Sequence, residues 1–338
     1  MKKHANIPIF IPHLGCPNQC IFCNQRAISG VQRFEPASVI PLIEEALSTI
    51  PEDYEKEIAF FGGSFTGIDK ELMINLLEIA EGYVRLGKIS SVRCSTRPDY
   101  INEEIISILK KYSVKTIELG LQSSSDDVLL KTKRGHNFDA EKKAAELILK
   151  NGFMLVGQMM IGLPGSDIEK EEKTADFIIE SGASAARIYP TVVFHETELC
   201  EMAKNGKYQP LSLEEAVARS ARVMRKFIEA GIEVIRVGLC SSDNLLSDKT
   251  YYAGPNHPAL GELVENRIFY DIIRDIILKN QYKTKIKILV PKGSLSKAIG
   301  QRKCNKIKLE NEFFDSDISI SESEKLQGYN VSVIEERL

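Results

Sequence analysis

Three cysteines, Cys16, Cys20 and Cys23, stand in the stretch Gly15-Cys-Pro-Asn-Gln-Cys-Ile-Phe-Cys-Asn24, with the spacing C-x-x-x-C-x-x-C. Three thiolates on one tight loop can hold three irons of a cubane [4Fe–4S] cluster. The fourth iron then has no protein ligand, whereas clusters that only carry electrons are usually held by four. An open iron is a docking point for a substrate or cofactor, by the logic that separates catalytic from structural zinc. Two plainer readings stand beside this one. Zinc would need a fourth ligand, for which His13 is at hand, yet zinc sites usually show C-x-x-C twice. Three unrelated buried cysteines would hold nothing.

Such a loop has to be presented by a regular scaffold. From residue 7 to about 193, short apolar runs alternate with amphipathic stretches, the pattern of repeated βα units and a parallel sheet. Strands are expected at 7–11, 57–61, 91–95, 116–121, 154–160 and 186–191, and helices at 37–49, 70–86, 103–111, 140–151 and 168–181. Gly152 and Gly182 follow two of these helices, where a left-handed residue ends the turn. The fold class is therefore α/β, a partial (β/α)6 TIM-like barrel, with function on the loops after the strand C-termini. The cysteine loop follows the first strand, and polar motifs follow the others. They are Gly62-Gly-Ser-Phe-Thr66, Cys94-Ser-Thr-Arg-Pro-Asp99, Glu118-Leu-Gly-Leu-Gln-Ser123 with Arg134-Gly-His136, Gly157-Gln-Met-Met-Ile-Gly-Leu-Pro-Gly165, and Arg187-Ile-Tyr-Pro-Thr191.

The cysteine spacing is that of the radical S-adenosylmethionine (SAM) superfamily. The run of motifs resembles, over about residues 7–280, the radical SAM domain of the Elongator catalytic subunit and its bacterial and archaeal relatives. The resemblance implies a [4Fe–4S] cluster on Cys16, Cys20 and Cys23, SAM on the open iron, and a 5′-deoxyadenosyl radical that takes hydrogen from substrate. Around that cofactor, Phe22 is placed to pack on adenine, and Gly162 and Pro164 bring backbone to its flank. Gly62, Gly63 and Ser64 offer close backbone to the methionyl ammonium. Gln122 and Gln158, polar groups at strand ends that need partners, suit the ribose, and Arg134 suits the carboxylate. The plainer alternative has these groups satisfying one another. Tyr189, His136 and His257 are candidates beside substrate, and Cys200 and Cys240 are possible substrate-side thiols. Two departures stand out. Ser95 occupies the place of a glutamate contact to the cofactor, and the Elongator subunit's acetyltransferase domain has no counterpart in these residues. Acetyl transfer is therefore not expected to carry over.

After the barrel, 212–230 reads as a helix, 233–238 as a strand and 258–279 as a long helix. Then the charge pattern changes. Residues 279–308 hold ten lysines and arginines and no acid, while 309–338 hold eight acids against Lys325 and Arg337. Expected elements are a strand at 285–291, helices at 294–299 and 305–314, and strands at 317–321 and 329–335. The tail thus resembles a small α+β K-homology (KH) module, in which a G-x-x-G loop between two helices clamps nucleic acid. Gly300, Gln301 and Arg302 fit that loop, and Lys303 replaces its second glycine. Lys292, Lys297 and Lys306 would add phosphate contacts. The alternative is a solvated basic face balanced by the tail's own acids.

The resulting organisation is a barrel at 1–195, an extension packed on it at 196–280, and an RNA-binding tail at 281–338. With 43% hydrophobic and 27% charged residues the composition is that of a soluble globular protein. Without a signal peptide or membrane span, and with seven cysteines of which three are clustered, a reducing cytoplasm is expected in place of a disulfide framework. Expected partners are RNA, with tRNA favoured over ribosomal RNA, and a low-potential electron donor such as a ferredoxin or flavodoxin. Neither DNA nor membrane is expected. Two other functions remain open: radical chemistry on a small molecule such as a porphyrinogen, and a non-catalytic iron–sulfur RNA-binding protein.

Overall fold

Strand-forming runs rich in Ile, Val and Phe are buried on both faces, as a parallel sheet between helices and a filled interior requires. In the computed structural model, β1 (His4–Ile11), β2 (Glu55–Gly62), β3 (Ser91–Thr96), β4 (Val114–Gln122), β5 (Met154–Ile161) and β6 (Ala185–Pro190) lie side by side, all parallel. A short strand β7 (Val193–Phe194) follows, and β8 (Glu233–Val237) then joins the sheet beside β6. The description covers residues 3–12, 14–16, 20–31, 33–239, 250–282 and 284–336; His13, residues 17–19, Cys240 and Lys283 lie outside it.

Helices fill the crossovers: α1 (Gln25–Ser29), α2 (Val39–Thr49), α3 (Lys70–Arg85), α4 (Glu103–Leu109), α5 (Asp126–Lys131), α6 (Phe138–Lys150), α7 (Ile168–Glu180), α8 (Glu198–Lys204) and α9 (Leu213–Glu229). The expected barrel is present with one correction, a seventh parallel strand. The run at 233–238 continues the same rhythm, because α9 carries the chain back from β6 as every earlier crossover helix does. A capping box between Ser212 and Glu215 starts α9, and Ala221, Val223 and Phe227 enter the main core. The end strands β1 and β8 do not pair with each other, so the barrel stays open on one side.

β9 (Tyr251–Ala253) pairs antiparallel with β7, and the long helix α10 (Leu260–Asn280) follows. Its first half gives Val264 and Ile268 to the barrel core; its second half gives Phe269, Ile273 and Ile277 to the core of the tail. The tail runs β10 (Lys285–Pro291), α11 (Leu295–Ile299), α12 (Cys304–Glu312), β11 (Asp317–Ser323) and β12 (Ser332–Glu336). β10 lies in the middle, parallel to β11 and antiparallel to β12. No helix among the described residues is long and apolar enough to cross a membrane.

Candidate active site

The strand C-termini converge on a cavity of about 460 Å³. Cys16, Cys20 and Cys23 all line it. The end of β2 holds the cysteine loop at close range: Gly63 N–H donates to the Ile11 carbonyl at 2.9 Å, and Ser64 N–H to the Leu14 carbonyl at 3.3 Å. A Cβ on Gly63 would fall 2.3 Å from the Leu14 carbonyl oxygen and 3.4 Å from Cys16 Sγ, so only glycine permits this approach. Gly62, at φ 118°, lies against the end of β1, where a Cβ would fall 2.6 Å from the Ile11 carbonyl oxygen.

Two guanidiniums face Cys20. Arg134 Nη1 lies 3.2 Å from its Sγ, and Arg97 Nη1 3.8 Å. Arg134 is further tied to the Gly120 carbonyl at 2.6 Å, while its Nε is buried without a partner. Arg97 grips Asp99 through two bonds of 2.9 Å and donates to the Arg134 carbonyl. Burial works against ionising Asp99, but the two Arg97 hydrogen bonds, with the Arg97 and His136 side chains close by, hold it well below the usual carboxylate range. Burial pushes the Cys23 thiol up to about 12, with the Cys20 charge adding to the effect. Ligation of a thiophilic metal there accordingly releases protons.

Among the described residues no three His, Cys, Asp or Glu side chains converge as ligands of one ion. The three thiols instead share one wall of the cavity, the layout a cubane needs because each cysteine serves a different iron. With positive groups beside Cys20 to offset thiolate charge and a glycine backbone against Cys16, the residues fit a cluster better than a single metal.

Of the other expected contacts, Phe22, Ser95, Gln122, Gln158, Arg134 and Tyr189 also line the cavity. Gln122 gets there through a β-bulge at Gly120–Gln122 in which its own φ is 73°. That left-handed strain re-aims the side chain inward, where Gln158 Nε2 donates to its Oε1 at 3.4 Å. Ser95 Oγ lies 3.5 Å from Glu118, in keeping with a hydroxyl standing where a longer acid was expected.

Several candidates lie elsewhere. Ser64 is fully buried behind the wall, its hydroxyl 2.8 Å from that of Thr96, because the turn directs it into the β2–β3 seam. Gly162 and Pro164 are outside the cavity: Glu171, itself bound by Arg219 at 2.9 Å, accepts from Gly162 N–H at 2.7 Å and braces this turn. His136 is corrected from substrate contact to support. Its side chain is 1% exposed, with Nδ1 3.6 Å from Asp99 and Nε2 3.0 Å from Glu141. His257 is likewise outside the cavity, and its Nδ1 accepts from Ala259 N–H at 3.1 Å beside the start of α10. Cys200 is buried against Ile21, Val193 and Leu199.

Residue reasoning missed the charged floor of the cavity. Glu57, Arg93, Glu118 and Arg187, from four strands, form a ladder of which Glu118 and Arg187 line the cavity and the other two lie beyond it, and Arg187 also lies 5.5 Å above the Phe61 ring. The signal was present, since ionised side chains inside apolar strands need partners. Each stood alone in its own strand, however, and only the sheet order pairs them.

In the tail, Gly300 (φ 79°) precedes Arg302 and Lys303, both left-handed at φ 51° and 62° and both exposed. Three lysines expected at an RNA surface are bound by carboxylates instead: Lys292 by Glu324 at 2.9 Å, Lys297 by Glu265 at 2.8 Å and Lys306 by Glu310 at 3.5 Å.

Residues 10–178 match the radical SAM superfamily model, and residues 183–289 match the radical SAM C-terminal domain. The tRNA uridine(34) acetyltransferase of Methanocaldococcus jannaschii is 38% identical over 125 residues, 36% of this chain and 23% of that protein. Elongator complex protein 3 of Homo sapiens is 28% identical over 201 residues, 53% of this chain and 37% of that protein. The chain thus spans about a quarter to two fifths of the length of these relatives. The solved structure of archaeal Methanocaldococcus infernus Elp3 shares the fold with a TM-score of 0.61 at 23% identity, over 83% of this chain and 64% of that one. Enzymes of this superfamily use a [4Fe–4S] cluster and SAM. The chain belongs to the radical SAM superfamily, and its barrel is homologous to the radical SAM region of the Elongator catalytic subunit.

Proposed function

We propose that this protein is a radical SAM enzyme that modifies RNA, with tRNA as the favoured substrate and Cys16, Cys20 and Cys23 as cluster ligands. One observation carries the reading: all three thiols line a single cavity at the strand C-termini, with the Gly63 backbone against one and two guanidiniums against another. A bound cluster with SAM supplies a 5′-deoxyadenosyl radical; the protein's share is to bind, orient and exclude water. Arg134 and Arg97 offset charge at Cys20. Gln122 and Gln158 offer amides to ribose hydroxyls, and Phe22 offers a ring to adenine. Tyr189 and the arginines of the floor face the reacting part of the substrate. A ferredoxin- or flavodoxin-class donor would supply the electron.

The RNA assignment is supported by the names of the relatives and by the exposed Arg302–Lys303 turn after Gly300, whose backbone and charges suit phosphate. The test is anaerobic reconstitution followed by assay. Four irons and four sulfides per chain are expected of a cubane, with 5′-deoxyadenosine formed from SAM under reduction. Nucleoside mass spectrometry of tRNA from cells with and without the gene should reveal one vanished nucleoside. Cluster without 5′-deoxyadenosine would leave the non-catalytic reading standing. 5′-Deoxyadenosine with unchanged RNA in both tRNA and ribosomal fractions would favour a small-molecule substrate.

A further inference from the structure

Among the described residues, the arginines Arg93, Arg187 and Arg236 outnumber the carboxylates Glu57 and Glu118 that pair with them. Glu118 Oε1 accepts from Arg93 Nη1 at 3.0 Å and from Arg187 Nη2 at 2.9 Å, and Glu57 holds the other side of Arg93. Two carboxylates are thereby used by two guanidiniums. Arg236 on β8 is the odd cation. It stands in register with Arg187 on β6, both line the cavity, and Arg236 has no hydrogen-bond or ion-pair partner among the described residues. Like charges opposite one another on neighbouring strands cost stability, and a guanidinium does not escape the cost by losing its proton. Tyr189, on the same wall, adds a hydroxyl 3.3 Å from Arg187 Nη1. The Phe61 ring under Arg187 fixes its plane.

We propose that Arg236, Arg187 and Tyr189 form an anion subsite that takes a phosphate or carboxylate group of the substrate and so sets how the substrate is turned in the cavity. Arg236 offers a guanidinium fork of the planar kind that such oxyanions accept, and Arg187, held by Glu118 through Nη2, adds its Nη1 beside the Tyr189 hydroxyl. The inference rests on the cavity being the reaction site. It is independent of whether the substrate is a polymer, since a nucleotide supplies the phosphate and a small metabolite the carboxylate.

The test is calorimetric binding to reconstituted protein with SAM present, so that the methionyl site is already filled. Probes are uridine 5′-monophosphate against uridine, and succinate against succinamide. In the wild type the anionic member of at least one pair should bind about tenfold tighter than its neutral twin. Arg236→Gln should abolish that preference, and Arg236→Lys should keep part of it. Preference for the monophosphate assigns a nucleotide phosphate; preference for succinate assigns a carboxylate. Without added anion, Arg236→Gln should unfold at or above the wild-type temperature, because a like-charge contact is relieved. Equal binding within both pairs, a preference that survives Arg236→Gln, or a lowered unfolding temperature would overturn the proposal. Unchanged nucleosides in both tRNA and ribosomal RNA from cells would sink the RNA reading and leave this preference intact, so the two failures are separable.

Discussion

Behind Cys20 lies a line of groups, Arg97, Asp99, His136 and Glu141, each in contact with the next and all but the partly exposed Asp99 buried. Arg97 is positioned through Asp99, and Asp99 through His136, so Glu141 acts on the sulfur only at third hand. Burial pushes the Glu141 carboxyl up to about 7, although the His136 hydrogen bond and charge pull the other way. A folded-state value above the ordinary carboxylate value gives stability that is full at low pH and is lost as pH rises toward about 7. The unfolding temperature of the wild type should therefore fall between about pH 5 and 7. Glu141→Gln should remove most of that slope, a difference of no more than about 3 kcal/mol. Denaturation followed across pH checks this, and parallel curves for the two proteins would refute the role given to Glu141. Arg134 was legible as a cofactor-side residue from its motif; Arg97 was not singled out, because an arginine before proline in a polar loop reads as ordinary surface until Asp99 and His136 are seen around it.

At the scale of elements, the strands and long helices were legible because their periods differ and their lengths are ordinary. The short helices α1, α5 and α8 were not, since five to seven residues carry little helical period; α4 and α11, equally short, were read only as parts of slightly longer runs. The bulge that turns Gln122 inward was also invisible, because glutamine carries no signal for φ 73°. In the tail loop the substitution of Lys303 for glycine was visible, but its consequence was not. Lys303 keeps the left-handed conformation that glycine would take without strain. Lys303→Gly should raise stability by about 1 kcal/mol while lowering the salt slope of RNA binding by about one. Chemical denaturation and filter binding across salt concentrations measure the two. A loss of stability would mean that the lysine side chain is held by contacts that outweigh the strain.

For the whole molecule, the boundary expected near residue 280 falls at the end of a helix that both cores share. Phe269, Ile273 and Ile277 pack under β10 and α12, so a chain stopped after 280 leaves three large apolar groups in water. At about 25 cal/mol per Å² such exposure costs several kcal/mol and favours association. The shortened protein should bind a hydrophobic dye and elute as oligomers; a monomer as stable as the full chain would show that the barrel needs nothing from the tail. Removing the tail is consequently a poor way to ask whether it docks RNA, and substitutions in the exposed Arg302–Lys303 turn are the cleaner probe.

Helix α10 has 21 residues, hence a length of about 31 Å. Its first turns touch both halves of the molecule: Leu260 packs against Gly238 just after β8, and Asn305, beside the Gly300 turn, donates to the Asn266 carbonyl at 2.7 Å. An RNA gripped at that turn would then be held near the end of β8, and its reactive nucleotide would be one only a short reach along the polymer from the grip.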